Sequence, residues 1–237
     1  MNFNLIMPMA GNGSRFIERG YKDPKPLIDV LGKPMFVRAV DNIGLEFDNM
    51  IFIVRKEHNI RDRILEYYPD AHIVEINSIT EGAACSVLLA DPYMRPEDSV
   101  FIANCDQIME WDKKGFINNM DNDGVILTFD CPERDPKWSY AEVNSSSSVI
   151  RVAEKNPISS YATTGHYYWS HWATFKHSAH TMIAANDRTN NEFYLCPTFN
   201  YTINSGGYVV TYRVEKMQGI GTPEDLEAWL EAWVNLN

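Results

Sequence analysis

Cationic charge is scarce in this chain. Lys and Arg total 21 against 32 Asp and Glu, a formal net charge of −11 over 237 residues. Binding nucleic-acid phosphates in general needs a basic surface, so that class of partner is excluded. Long apolar runs are missing as well. None approaches the ~18 residues of a membrane span, and no membrane partner is expected. Met1 to Met7 show no basic stretch ahead of a long apolar core, so they do not read as a signal peptide. Cysteines number four, at positions 85, 105, 131 and 196, and their spacing matches no zinc or redox pair. They read as buried, reduced thiols, which points to the cytoplasm. There is no internal repeat and no linker; the serines 145 to 148 are too few for one. At roughly 150 residues per domain the length allows one or two, and the missing linker favours a single domain over residues 1–237.

Hydrophobic residues make up 45% of the chain, a globular composition. Asn4–Met9 reads as a first strand, followed by a glycine-rich loop. Met35, Phe36, Ala39, Val40 and Ile43 mark one face of a helix that begins at Pro34. Met50–Val54, His72–Ile76 and Ser99–Ala103 read as strands, alternating with helices around Asn59–Tyr68 and Ala83–Ala90. That alternation implies right-handed crossovers and a mostly parallel sheet flanked by helices, an α/β fold of Rossmann-like type. The second half reads as strand Gly124–Phe129, hairpin Ser139–Val143 with Val149–Ala153, and strand Gly165–Ser170. Helices are expected over Trp172–Ala185 and Phe193–Ile203, with strand Tyr208–Val214 after them. Thr222-Pro223-Glu224-Asp225 opens a last helix as N-cap, first-turn proline and first-turn acids. Leu226, Trp229, Leu230 and Trp233 supply its buried face.

The chemistry is concentrated in Gly11-Asn12-Gly13-Ser14-Arg15-Phe16 and in Lys25-Pro26-Leu27. Glycines let backbone N–H groups approach phosphate oxygens. Arg15 and Lys25 are placed to offset the charge of phosphoryl or nucleotidyl transfer. Between Arg15 and Arg38 six cations face three acids, so the acidic chain carries one local cationic stretch. A dinucleotide fingerprint fails, because Phe16 stands where it needs glycine and Arg55 where it needs an acid after the second strand. A P-loop fails for want of Gly-Lys-Ser/Thr. A tight strand–helix turn with incidental basic residues is the plain alternative.

The run from Pro8 to Phe16, then Pro24-Lys25-Pro26-Leu27, then Gly32-Lys33-Pro34-Met35, resembles the signature of the sugar-phosphate nucleotidyltransferases. The small bacterial forms found with capsule and surface-polysaccharide genes are the nearest likeness. It continues in Thr80-Glu81-Gly82-Ala83-Ala84, Asn104-x-Asp106, Glu154-Lys155, Gly165-x-Tyr167-Tyr168 and Gly219 to Leu226, nearly the whole chain. The resemblance implies a glycosyltransferase-A-like fold with a small β-rich acceptor-binding subregion. It also implies the reaction NTP + R-phosphate → NDP-R + pyrophosphate, with Mg²⁺. By the same resemblance Arg15 holds the departing β- and γ-phosphates, and Lys25 the α-phosphate and the incoming phosphate. Ala10, Gly11, Gly13, Ser14, Glu81 and Gly82 contact the nucleotide, and Asp106 ligates the metal. Asn104, Tyr140, Glu154, Lys155 and Gly165 contact the acceptor. A solvated ion pair is an equal reading of Glu154-Lys155, and Thr80 as helix cap is compatible with Glu81-Gly82 reading the base. Related enzymes often carry an aspartate two residues before the Gly-Thr pair as a second metal ligand; here Gly219 stands there.

Sugar-1-phosphates are the first expectation for the acceptor. Cytidylyltransferases for phosphocholine, phosphoglutamine or similar non-sugar phosphates stand beside it. Two further readings are a nucleotide-sugar-dependent glycosyltransferase, since Asn104-Cys105-Asp106 is one residue from Asp-x-Asp, and a non-catalytic nucleotide-binding regulator, motivated by Gly219. The sequence carries no signal for the base or the oligomeric state.

Overall fold

A computed structural model describes residues 1–236. Strand β1 (Phe3–Pro8) passes through helix α1 (Ser14–Glu18) and the ribbon β2 (Asp29–Val30) and β3 (Lys33–Pro34) into helix α2 (Met35–Ile43). Alternation continues with β4 (Asn49–Arg55), α3 (Arg61–Tyr67), β5 (His72–Ile76), α4 (Ala83–Leu88) and β6 (Ser99–Ala103). Next come β7 (Gln107–Glu110), α5 (Lys113–Ile117), β8 (Gly124–Asp130), the hairpin β9 (Tyr140–Val143) and β10 (Val149–Ala153), and the long β11 (Tyr161–Trp169). The chain ends with α6 (Trp172–Ala184), α7 (Thr198–Asn204), β12 (Val209–Arg213), β13 (Lys216–Gly219) and α8 (Pro223–Leu236).

Strands β6, β1, β4 and β5 lie side by side in parallel, as the alternation predicts. In the nine-stranded sheet only β11 and β10 run against the rest. Side chains alternate faces with period two. Leu5, Met7, Phe52, Val54 and Phe101 enter one core cluster with the buried face of α2. Ile6, Ile51, Ile53, Val100 and Ile102 enter a second, with residues of α4, α6 and α7. Burial on both faces explains why these strands read as continuous apolar runs. A third cluster joins Phe16, Ile28, Val30 and Met35 to Ile220, Leu226 and Trp229. It fastens the glycine-rich loop region to the C-terminal segment. Among the described residues no helix is long and apolar enough to cross a membrane.

Several elements differ from the sequence expectation. The helix expected over Phe193–Ile203 covers only Thr198–Asn204. Phe193 is held instead in backbone pairing, its amide to Glu81 O (2.8 Å) and its carbonyl to the Ala84 amide (3.0 Å). Proline at 197 then stands at the helix start, where a missing N–H costs nothing. Strand β11 begins at Tyr161, not Gly165, and passes through a bulge between Thr163 and Tyr167. Trp233 is 46% exposed rather than part of the buried face of α8. The ribbon β7–β13 and the short helices α1 and α5 are additions.

Candidate active site

Open parallel sheets leave ligand crevices beyond the carboxyl ends of their strands. Here β1 and β6 end beside each other, and a cleft of about 370 Å³ opens there. Pro8, Gly11, Gly13, Ser14, Arg15 and Lys25 form one side, and Asn104, Cys105, Asp106 and Gly221 the other.

The loop after β1 is built around Gly13. Its φ of +60° is left-handed, and its carbonyl accepts the amides of Phe16 (3.0 Å) and Ile17 (3.3 Å), which starts α1. A Cβ on Gly13 would stand 3.0 Å from the Cβ of Lys25, so glycine also lets the two basic segments close together. Among the described residues, the backbone amides from Ala10 through Arg15 donate no hydrogen bond to the chain. Arg15 is exposed and unpaired among the same residues. Amides left free beside cations are the groups that an anion such as phosphate takes.

Lys25 sits in a single turn, with Leu27 N bonded to Pro24 O (2.8 Å). Its Nζ donates to Asp106 Oδ2, the two side chains being 23% and 16% exposed. Burial pulls the Lys25 pKa down, but the Asp106 carboxylate outweighs it, and the net shift is upward. Cys105 is the opposite case. Burial, helped by Asp106, pushes its thiol up to about 12, so it stays protonated and is no nucleophile.

Asp106 is held by its backbone. Its carbonyl accepts the Ile220 amide at 2.8 Å, and Gly219 lies in register with Gln107. A Cβ on Gly221 would run into the Asp106 carboxylate, so glycine lets the C-terminal segment lie against the site without displacing that side chain. Asn104 donates its amide to Gly165 O (3.3 Å). Gly165, at φ +78°, leaves room for the Asn104 side chain and marks the point where the edge of β11 passes from β6 to β9.

The other expected site residues lie away from the cleft lining. Ala10 is buried behind it. Glu81 is bound by Arg188 Nη2, and Arg188 also covers the Phe193 ring at 4.0 Å. Gly82, at φ +141°, lets the Phe193 backbone pass where a Cβ would collide. Thr80 Oγ1 contacts Gly82 O (2.9 Å) and Ser86 Oγ (2.6 Å), and no side chain caps α4. Tyr140 is fully buried, its hydroxyl donating to Asp135 O at 2.7 Å. Glu154 accepts from Ser139 Oγ, and burial raises its carboxyl pKa. Lys155, at φ +52°, donates to the Tyr194 hydroxyl at 2.7 Å. Sequence reasoning singled out Gly221 by resemblance alone; the close approach that requires it shows only in three dimensions.

Among the described residues no three His, Cys, Asp or Glu are grouped to hold a metal. Gly219 faces Trp138, whose Cη2 lies 3.6 Å from where a Cβ would be. Asp225 donates its amide to Thr222 Oγ1 at 3.1 Å, which confirms Thr222 as the cap of α8. Among the described residues Asp106 is the one carboxylate lining the cleft. Mg²⁺ is commonly held by one or two carboxylates together with substrate phosphates and water, and this donor set fits that mode.

A family model described as "Nucleotidyl transferase" matches residues 4–229. The chain belongs to the nucleotidyl transferase family. The chain is 26% identical over 180 residues to the "Bifunctional protein GlmU" of Methanocaldococcus jannaschii, covering 69% of the chain but 39% of that relative. It thus spans about two-fifths of that relative's length. It is 22% identical over 239 residues to the "UTP--glucose-1-phosphate uridylyltransferase AglF" of Haloferax volcanii, covering 93% and 92% of the two chains. Its fold matches the crystal structure of a nucleoside-diphosphate-sugar pyrophosphorylase from Vibrio cholerae RC9, with TM-score 0.83, 23% identity, and 96% and 99% of the two chains covered. The α/β architecture expected from the strand–helix alternation is therefore that of known nucleotidyltransferases.

Proposed function

We propose that this chain transfers a nucleoside monophosphate from an NTP to a phosphorylated small molecule, in the first place a sugar-1-phosphate, and releases pyrophosphate. The observation that carries the reading is the run of free amides from Ala10 through Arg15, with Arg15 and the Lys25–Asp106 pair in the same cleft. Family membership supports it.

In this reading the amides and Arg15 take the β- and γ-phosphates, and Lys25 faces the α-phosphate. A phosphate oxygen of the acceptor attacks the α-phosphorus in line. The bond from that phosphorus to the bridging oxygen breaks, and its electron pair leaves with pyrophosphate. No covalent enzyme intermediate forms, so the protein contributes position and charge. Asp106 would hold Mg²⁺, which supplies further charge neutralisation along the triphosphate when bound. Asn104, beside Gly165, would bond the acceptor in this reading. The activated product would feed capsule or surface-polysaccharide assembly, in the cytoplasm where NTPs are made.

The test is a matrix of four NTPs with Mg²⁺ against phosphorylated acceptors, scored by pyrophosphate. The panel includes sugar-1-phosphates, phosphocholine and other non-sugar phosphates. Release with one base and one acceptor class is the expected result. No release with any pair would overturn the reading.

A further inference from the structure

Arg55 ends β4, at the same carboxyl end of the parallel strands as the glycine-rich loop that follows β1. Its side chain is 13% exposed. Nη1 donates to Asn12 Oδ1, and Nη2 pairs with Glu57. Nε is buried without a partner, so the guanidinium directs its bonding through its two terminal nitrogens. Asn12 stands between Gly11 and Gly13, and its bond to Arg55 is the one side-chain hydrogen bond made from Ala10 through Arg15 among the described residues. The loop is otherwise tied at its ends. Met9 N bonds Ile53 O at 2.7 Å, and the Gly13 carbonyl starts α1 ahead of the buried Phe16.

A loop with two glycines and a row of free amides has many conformations, and ordering it on binding costs affinity. One directed contact at its midpoint removes much of that cost. Resting on the triphosphate reading of this loop, we infer that Arg55 is a positioning residue: through Asn12 it holds the phosphate loop in its binding shape before nucleotide arrives. Arginine suits the task because one planar group serves Asn12 and Glu57 at fixed angles, which an ammonium cannot do. The position also explains why the dinucleotide pattern fails. Where that pattern has an acid for a ribose, this chain has a cation that braces the phosphate loop.

The test compares wild type, Arg55→Ala, Arg55→Lys, Asn12→Ala and the double variant Arg55→Ala/Asn12→Ala. Expected for Arg55→Ala is a rise of about tenfold in the KM and Kd for NTP, the equivalent of one lost ordering contact. The kcat at saturating NTP, the acceptor KM and the Tm stay near wild type. Asn12→Ala matches it, the double variant adds nothing further, and Arg55→Lys recovers only part. Additive effects of the two alanine variants, equal rises in both KM values, or a fallen Tm with unchanged nucleotide Kd would overturn the inference. Direct titration with NTP and Mg²⁺ separates it from the activity. A wild type that binds nucleotide but releases no pyrophosphate sinks the transfer reading, while the binding constants still judge Arg55. A wild type that binds no NTP overturns both.

Discussion

Lys25 and Asp106, 81 residues apart in sequence, pair through Nζ and Oδ2 in the cleft beyond β1 and β6. The pair places opposite charges at one point, the ammonium for phosphate oxygens and the carboxylate for a hard cation. Lys25 has its pKa raised in the folded state. Its contribution to stability is therefore complete below the unfolded value of 10.5 and is lost only as pH climbs through the higher folded value. Near neutrality the ammonium stays charged.

Lys25→Met should reduce turnover by about 10²- to 10³-fold, the loss typical for one preorganised donor at a reacting centre. The fold should survive, because both side chains line an open cleft and the pair costs less to break than a fully buried one. Pyrophosphate release and urea denaturation measure the two effects. Turnover within a few fold of wild type would remove Lys25 from the reaction.

Among the described residues Asp106 is the one cleft carboxylate, so metal dependence should be sensitive to it. Chelation with EDTA should abolish pyrophosphate release, and excess Mg²⁺ should restore it. Asp106→Asn keeps the shape but halves the oxygen donors and removes the charge. The Mg²⁺ needed for half-maximal rate should rise by about tenfold or more. Activity indifferent to both treatments would exclude Asp106 as a metal ligand.

Gly221 and Gly82 are tight for different reasons, and their alanine variants should separate. The added methyl of Gly221→Ala meets the tip of Asp106 and lies 3.3 Å from Lys25 Nζ. Flexible side chains give way at little cost in stability, but they then leave the geometry of the site. Turnover should fall by about tenfold or more, with the Tm nearly unchanged. In Gly82→Ala the methyl meets the Phe193 backbone at a φ of +141°, and neither can relax cheaply. That variant should lose more than about 2 kcal/mol of stability in urea denaturation. Equal stability losses in the two would refute the distinction.

The parallel half of the fold is legible because its strands are buried on both faces, as Leu5, Ile6 and Met7 illustrate, and its helices carry one apolar face, as α2 does. The ribbon β7–β13 escapes a sequence reading because each strand has four residues of mixed polarity and their pairing spans a hundred positions. Phe193 escapes for a related reason: its apolar neighbours mimic a helix, while its backbone bonds to Glu81 and Ala84. In the site, Arg15 and Lys25 stand out by charge and glycine context. The Lys25–Asp106 pair, the free amides and the Arg55–Asn12 brace are tertiary facts with no local signature. Tyr140, an acceptor contact expected from the resemblance alone, turns its hydroxyl inward to Asp135.

His166 gives the protein a predictable acid limb. It is fully buried on β11, and burial lowers its pKa from 6.5 to about 4 despite the Thr164 carbonyl and Asp106. Between those values the unfolded chain binds a proton that the folded chain refuses. The contribution of this group to stability is thus greatest above pH 6.5, falls as pH drops toward 4, and loses nothing further below that. The whole loss is about 3 kcal/mol. Glu154 acts in the opposite direction, since burial raises its pKa and the folded state then binds the extra proton. Comparing wild type with His166→Gln cancels that contribution. In urea denaturation from pH 7.5 to 4.5 the two stability curves should converge as the pH falls, because the variant has no imidazole to titrate. Parallel curves over that range would mean that His166 is solvated and protonates freely in the folded protein.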